Sequence, residues 1–96
     1  TTYTLPSVTT TVNGCVVYLA VAIDRDDSST AAFSGWTNSN LTNIAEQADY
    51  VGFAGTGGGY GVATGKRAIA GAIGTTTVNC AFNDVATYMT IAIAPA

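Results

Sequence analysis

Cys15-Val16-Val17-Tyr18-Leu19-Ala20-Val21-Ala22-Ile23-Asp24 is the stretch that decides the fold. Cys15, Val17, Leu19, Val21 and Ile23 share one phase; Val16, Tyr18, Ala20 and Ala22 share the other. That period of two belongs to a β-strand, and the valines and isoleucine suit a pleated surface. Both phases are uncharged, so the segment predicts the innermost strand of a sheet, covered on both faces.

Working outward toward the N-terminus, Asn13-Gly14 is a dipeptide that tolerates positive φ cheaply and predicts a turn. Ser7 to Val12 before it reads as a short strand, and Pro6 marks a bend or an edge. In the other direction, Asp24-Arg25-Asp26-Asp27-Ser28-Ser29 ends the central strand in polar, turn-forming groups. An irregular connection through Phe33-Ser34-Gly35-Trp36 follows. Asn43 to Phe53 carries charge and predicts an exposed edge strand. The glycine run from Gly55 to Gly61 predicts a hairpin turn, with Tyr60 to Ala70 returning as its partner. Gly71 to Gly74 predicts a further turn, and Thr75 to Phe82 a half-buried strand. After a turn at Asn83-Asp84, Ala86 to Ile93 places Met89, Ile91 and Ile93 on one face and Tyr88, Thr90 and Ala92 on the other.

About six or seven strands joined by short turns predict an all-β fold, an antiparallel β-sandwich of jelly-roll or Ig-like type, with a barrel as the alternative. No segment has the helical period. At 96 residues there is room for one core and therefore one domain, 1–96. The string Thr-Thr-Thr-Val-Asn occurs at Thr9 to Asn13 and again at Thr75 to Asn79, but the flanks differ, so it reads as shared strand composition rather than a repeat. The start at Thr1-Thr2-Tyr3 has no initiator methionine and no signal-like core, which favours a piece of a longer polypeptide.

Composition narrows the function classes. Three basic residues against six acidic ones, net charge −3, argue against nucleic acid, whose phosphates demand several Lys or Arg. No apolar run reaches the roughly 18 residues of a membrane-spanning helix. Only 9% of residues are charged, well below the quarter or more usual on a free surface, so partners are expected to cover much of the chain.

Candidate reactive groups are few. With no histidine, a nucleophilic Ser or Thr would need Lys66 as its base, and no spacing nominates one. Glu46 and Asp49 could serve as paired acids, but three residues apart on a regular strand they point to opposite faces. Thr64-Gly65-Lys66-Arg67 lacks the Ser or Thr of a Walker loop and is followed by strand-like sequence. No enzyme activity and no cofactor are expected. Asp24, Asp26 and Asp27 form a weak Ca²⁺ candidate, without the glycine or distal Glu of an EF-hand; a solvated loop is the plainer reading. Cys15 and Cys80 both fall in apolar phases, as two packed thiols or as one disulfide. Trp36, with Asn38 and Asn40 nearby, is either a plug over the core or a glycan-stacking platform. Tyr3, Tyr18, Tyr50, Tyr60 and Tyr88 read as rim and interface groups.

The order of these segments resembles a known kind of module. Leu5-Pro-Ser-Val-Thr-Thr-Thr-Val-Asn-Gly-Cys-Val-Val, Phe33-Ser-Gly-Trp-Thr-Asn, Gly61-Val-Ala-Thr-Gly-Lys, Ala70-Gly-Ala-Ile-Gly-Thr-Thr-Thr and the closing Tyr88-Met-Thr-Ile-Ala-Ile-Ala-Pro-Ala are similar to β-sandwich modules of tailed-bacteriophage virion proteins. The likeness spans nearly the whole chain, and its motifs are strand-and-turn patterns rather than catalytic signatures. In such proteins the pattern often forms the C-terminal part of a longer β-rich chain. The resemblance implies a non-enzymatic structural subunit, a capsid-decoration, tail or fibre component, in a virion or extracellular. Its partners would be copies of itself or other virion proteins. Strand addition at an edge, at Ser7 to Val12 or Asn43 to Phe53, would join them. A carbohydrate-binding module that takes a surface glycan, and a bacterial adhesin or pilus-like subunit, are the alternatives.

Overall fold

The computed structural model describes residues 1–26, 31–52 and 57–96. Among these residues there is no helix, and nine strands run in the order β1 (Thr2–Leu5), β2 (Thr9–Thr10), β3 (Cys15–Ile23), β4 (Phe33–Thr37), β5 (Thr42–Gly52), β6 (Gly58–Arg67), β7 (Gly71–Ala72), β8 (Thr76–Cys80) and β9 (Ala86–Ile93). Seven of them build two antiparallel sheets, one ordered β1-β8-β4 and the other β5-β6-β3-β9. The two-residue strands β2 and β7 pair with each other in a separate ribbon. The fold is thus an all-β antiparallel sandwich of three strands on four.

The core lies between the sheets. Leu5 and Val78 from the smaller sheet and Val17, Leu19, Val21, Val51 and Ala63 from the larger are almost wholly removed from solvent, together with Ile73. Each fully buried Val, Leu or Ile side chain stabilises by about 1.5–3 kcal/mol relative to exposure. Thr76 is the polar member of this layer. Its hydroxyl accepts a hydrogen bond from Asn38 Nδ2 at 2.9 Å, so its burial leaves no oxygen unmet.

The central segment is a strand between β6 and β9, and its odd phase fills the core. Its other face is not covered: Val16 and Tyr18 stand in solvent. The smaller sheet packs on one side only, which alternation cannot reveal when both phases are apolar.

Several further expectations need correction. Phe33-Ser34-Gly35-Trp36 is not an irregular connection but strand β4, paired with β8 through Phe33↔Cys80 and Ser34↔Asn79. Gly71 to Gly74 is not only a turn, since Gly71 and Ala72 pair with Thr10 and Thr9. Ser7 to Val12 is a strand at Thr9–Thr10 alone, and those two residues pair within the chain with β7. Thr2–Leu5 forms an additional strand, and its Tyr3 is a core residue rather than a rim group. The Tyr3 hydroxyl donates to Asp84 O at 2.9 Å and accepts from Asp84 N at 2.8 Å, which locks β1 onto the β8–β9 connection. β9 alternates as its sequence predicts, with its larger aliphatic residues on the outer face. Met89, Ile91 and Ile93 face outward, while Ala86 and Ala92 pack against the core.

Candidate functional site

The outer face of the four-stranded sheet is built from the even positions of β3 and β6 and the residues across from them. Val16, Tyr18, Ala20 and Ala22 of β3 lie between Ile93, Ile91, Met89 and Thr87 of β9 and Lys66, Thr64, Val62 and Tyr60 of β6. On the far side of β6, Tyr50 sits across from Tyr60, their rings 6.1 Å apart. Lys66 is the only charged side chain among these positions, and Met89 (54%), Ile93 (50%) and Ile91 (44%) are strongly exposed. Between Tyr60 and Met89, over Ala20 and Ala22, the face carries a shallow, almost wholly apolar hollow of ≈130 Å³. Among the described residues no Cys, Asp, Glu, Lys or Arg lines it. The arrangement offers contact area and two clusters of aromatic or aliphatic side chains, as interaction surfaces do.

The residues singled out from the sequence lie elsewhere. Gln47 sits at a register irregularity between Glu46 and Ala48, so one extra residue enters β5 and the side-chain phase flips. Glu46 then lies opposite Ala63, and Asp49 opposite Gly61, both in the inward phase of β6. The two carboxylates therefore point to the same side, not to opposite faces as regular alternation requires.

Both carboxylates are engaged in holding β4. Asp49 accepts hydrogen bonds from the backbone amides of Ala32 at 2.8 Å and Phe33 at 3.0 Å. Glu46 Oε2 accepts from Trp36 Nε1 at 2.7 Å. Gly61 makes this close approach feasible. A Cβ there would stand 2.7 Å from Phe33 Cδ2 and 3.2 Å from Trp36 Cζ2, so only glycine lets those rings rest on the sheet. Trp36 is thus a half-buried clamp along the β4–β5 flank, with its ring centroid 6.4 Å from that of Phe33. Asn38 and Asn40 are likewise occupied. Asn38 reaches Thr76, and Asn40 Nδ2 donates to Ile73 O at 3.0 Å, fixing the crossing from one sheet to the other.

Cys15 and Cys80 are both buried and both free. Cys15 Sγ donates to Val12 O at 3.5 Å, and Cys80 Sγ accepts from Phe82 N at 3.4 Å. Cys80 pairs with Phe33, whose ring lies over Gly61, the partner of Val21. Six residues of β3, roughly 20 Å of strand, separate that level from Cys15. The span is too great for a disulfide.

Of the Ca²⁺ candidates, Asp24 and Asp26 are exposed, and Asp27 lies outside the described residues, as do Ser28, Ser29, Gly55 and Thr56. Among the described residues no three His, Cys, Asp or Glu side chains come together to hold a metal ion. Arg25 turns away from the other two acids to Asp84, at 2.8 Å, with its guanidinium 4.2 Å above the Phe82 ring. No helix among the described residues is long and apolar enough to cross a membrane.

The outer face is not evident as a surface from the sequence alone. Its signal was present as the second apolar phase of Cys15 to Ile23 and the large residues of Ala86 to Ile93. No family model matches the chain, and neither a curated protein nor a solved structure is significantly similar to it.

Proposed function

We propose that the chain is a non-enzymatic structural subunit of a virion or other extracellular assembly, of the capsid-decoration, tail or fibre kind. It acts by packing against copies of itself or against neighbouring structural proteins. The observation that carries this reading is the outer face of the four-stranded sheet, with Val16, Tyr18, Tyr50, Tyr60, Met89, Ile91 and Ile93 exposed and Lys66 the only charge among the described strand positions that build it. Contiguous apolar surface of this kind marks an interaction site, and covering it is favoured by about 25 cal/mol per Å². The placement in a virion rests on the order of strand and turn motifs in the sequence.

The carbohydrate-binding alternative has less behind it, because the Trp36 N–H is committed to Glu46 and the amides of Asn38 and Asn40 to Thr76 and Ile73. Sedimentation of the intact chain from micromolar to submillimolar concentration tests the assembly reading. Species heavier than the 9.7 kDa monomer are expected, and a compact monomer throughout would refute it. Whether the gene lies among capsid and tail genes or among secretion genes separates the virion reading from the adhesin one.

A further inference from the structure

Resting on the assembly reading, we infer that the free edge of β9 pairs antiparallel with β9 of a second copy about a two-fold axis. Association by strand pairing stops at that dimer.

Among the described residues the two sheets have four edge strands: β5 and β9 in the larger, β1 and β4 in the smaller. Exposed edges are templates for other chains unless they are blunted by charge, bulges, proline or shortness. Three of the four carry such a device. β5 has two register irregularities, Asn43 at φ 54°, and the carboxylates of Glu46 and Asp49. β4 has a register shift between Ser34 and Thr37, with Gly35 at φ 63°. β1 is four residues long and runs into Pro6. β9 has none of them. It stays in unbroken register with β3 from Ala86↔Ile23 to Ile93↔Val16, and from Val85 to Ala94 there is no charge, glycine or proline.

The occupant that fits is a second copy. Self-pairing about a two-fold sets one uncharged strand against another, so no like charges meet and the apolar residues Met89, Ile91 and Ile93 of the two copies flank one another on the outer face. Head-to-tail growth would instead require β9 to pair with β5 of the next copy. The bulges and the carboxylates of β5 break that register and oppose it. An isologous contact that consumes the one open edge closes on itself, giving a continuous eight-stranded sheet. An edge of eight residues, roughly 27 Å long, on a molecule 18 Å across its narrowest dimension presents at most about 500 Å² per copy. Two copies then cover at most about 1,000 Å², the lower limit for specific association.

Sedimentation of the intact chain together with hydrogen exchange at low and high concentration tests the pairing. A species of twice 9.7 kDa is expected. Exchange of β9 amides should slow about tenfold or more as it forms, with β5 amides unchanged. Ile91→Lys should return the mass to that of the monomer, whereas Tyr50→Lys, on the same face but remote from β9, should leave the dimer intact. If Ile91→Lys does not fold, exchange on the unaltered chain decides. An oligomer larger than two, one whose β9 amides exchange as in the monomer, or one lost on Tyr50→Lys overturns the β9 pairing while leaving the assembly reading standing. A monomer at every concentration overturns both.

Discussion

The two edges of the four-stranded sheet, β5 and β9, belong to one plane and meet opposite demands. β5 is bulged at Gln47, and the resulting phase flip turns Glu46 and Asp49 toward β4, where they hold Trp36 and the amides of Ala32 and Phe33. β9 is regular, uncharged and open, with its larger side chains outward. One edge is closed against the chain's own second sheet; the other is left for something else. The difference teaches that acidic residues on an edge strand need not indicate solvation or catalysis: here a single inserted residue turns them into clamps.

The largest test of this contrast is Asp49→Ala, which strips two backbone amides of a charged acceptor. It should cost about 3 kcal/mol in chemical denaturation, and Asp49→Asn, which retains one carbonyl acceptor, about half as much. Equal losses for the two variants would show that the negative charge rather than the pair of hydrogen bonds holds β4. Next comes Gly61→Ala. The new methyl would press on the rings of Phe33 and Trp36 and should destabilise by about 2 kcal/mol, read from the shift in denaturation midpoint. Glu46→Ala should cost about 1 kcal/mol and shift the emission of Trp36, the sole indole, as its N–H loses the carboxylate. The smallest effect belongs to β9. Ile91→Lys should change the stability of the monomer by less than about 0.5 kcal/mol, because the side chain already faces solvent, while removing the dimer. A large loss of monomer stability from that substitution would place Ile91 in the fold rather than at an interface.

Much of the architecture could be read from alternation. Cys15 to Ile23 declares its phase over nine residues, and Asn13-Gly14 supplies the positive φ of 79° at Gly14, whereas Gly58 to Gly61, which read as turn, pair within β6. Alternation groups residues by face but does not say which face is covered. That limit explains Val16 and Tyr18 in solvent and the orientation of β9, where small Ala86 and Ala92 go inward and Met89, Ile91 and Ile93 go out. β4 was hidden because Ser34 and Gly35 look like loop residues. It is a strand through its pairing with Asn79 and Cys80, a contact no local pattern encodes. The same holds for the flip at Gln47: a bulge belongs to two strands at once, so neither segment alone announces it. The apolar residues of the outer face could be found in the sequence, yet their status as a surface could not.

The pairing of β1 with β8 has a kinetic consequence. Thr2 and Asn79, 77 residues apart, share a hydrogen bond between their side chains, and all four residues of β1 take their ladder from β8. A chain leaving the ribosome therefore carries its first strand unpaired until β8 has also emerged. Contacts so distant along the chain place folding among slow β topologies, on a scale of milliseconds to seconds. Throughout that interval Tyr3 and Leu5 lack their cross-strand partners Val78 and Thr76, and their apolar surface stays in water.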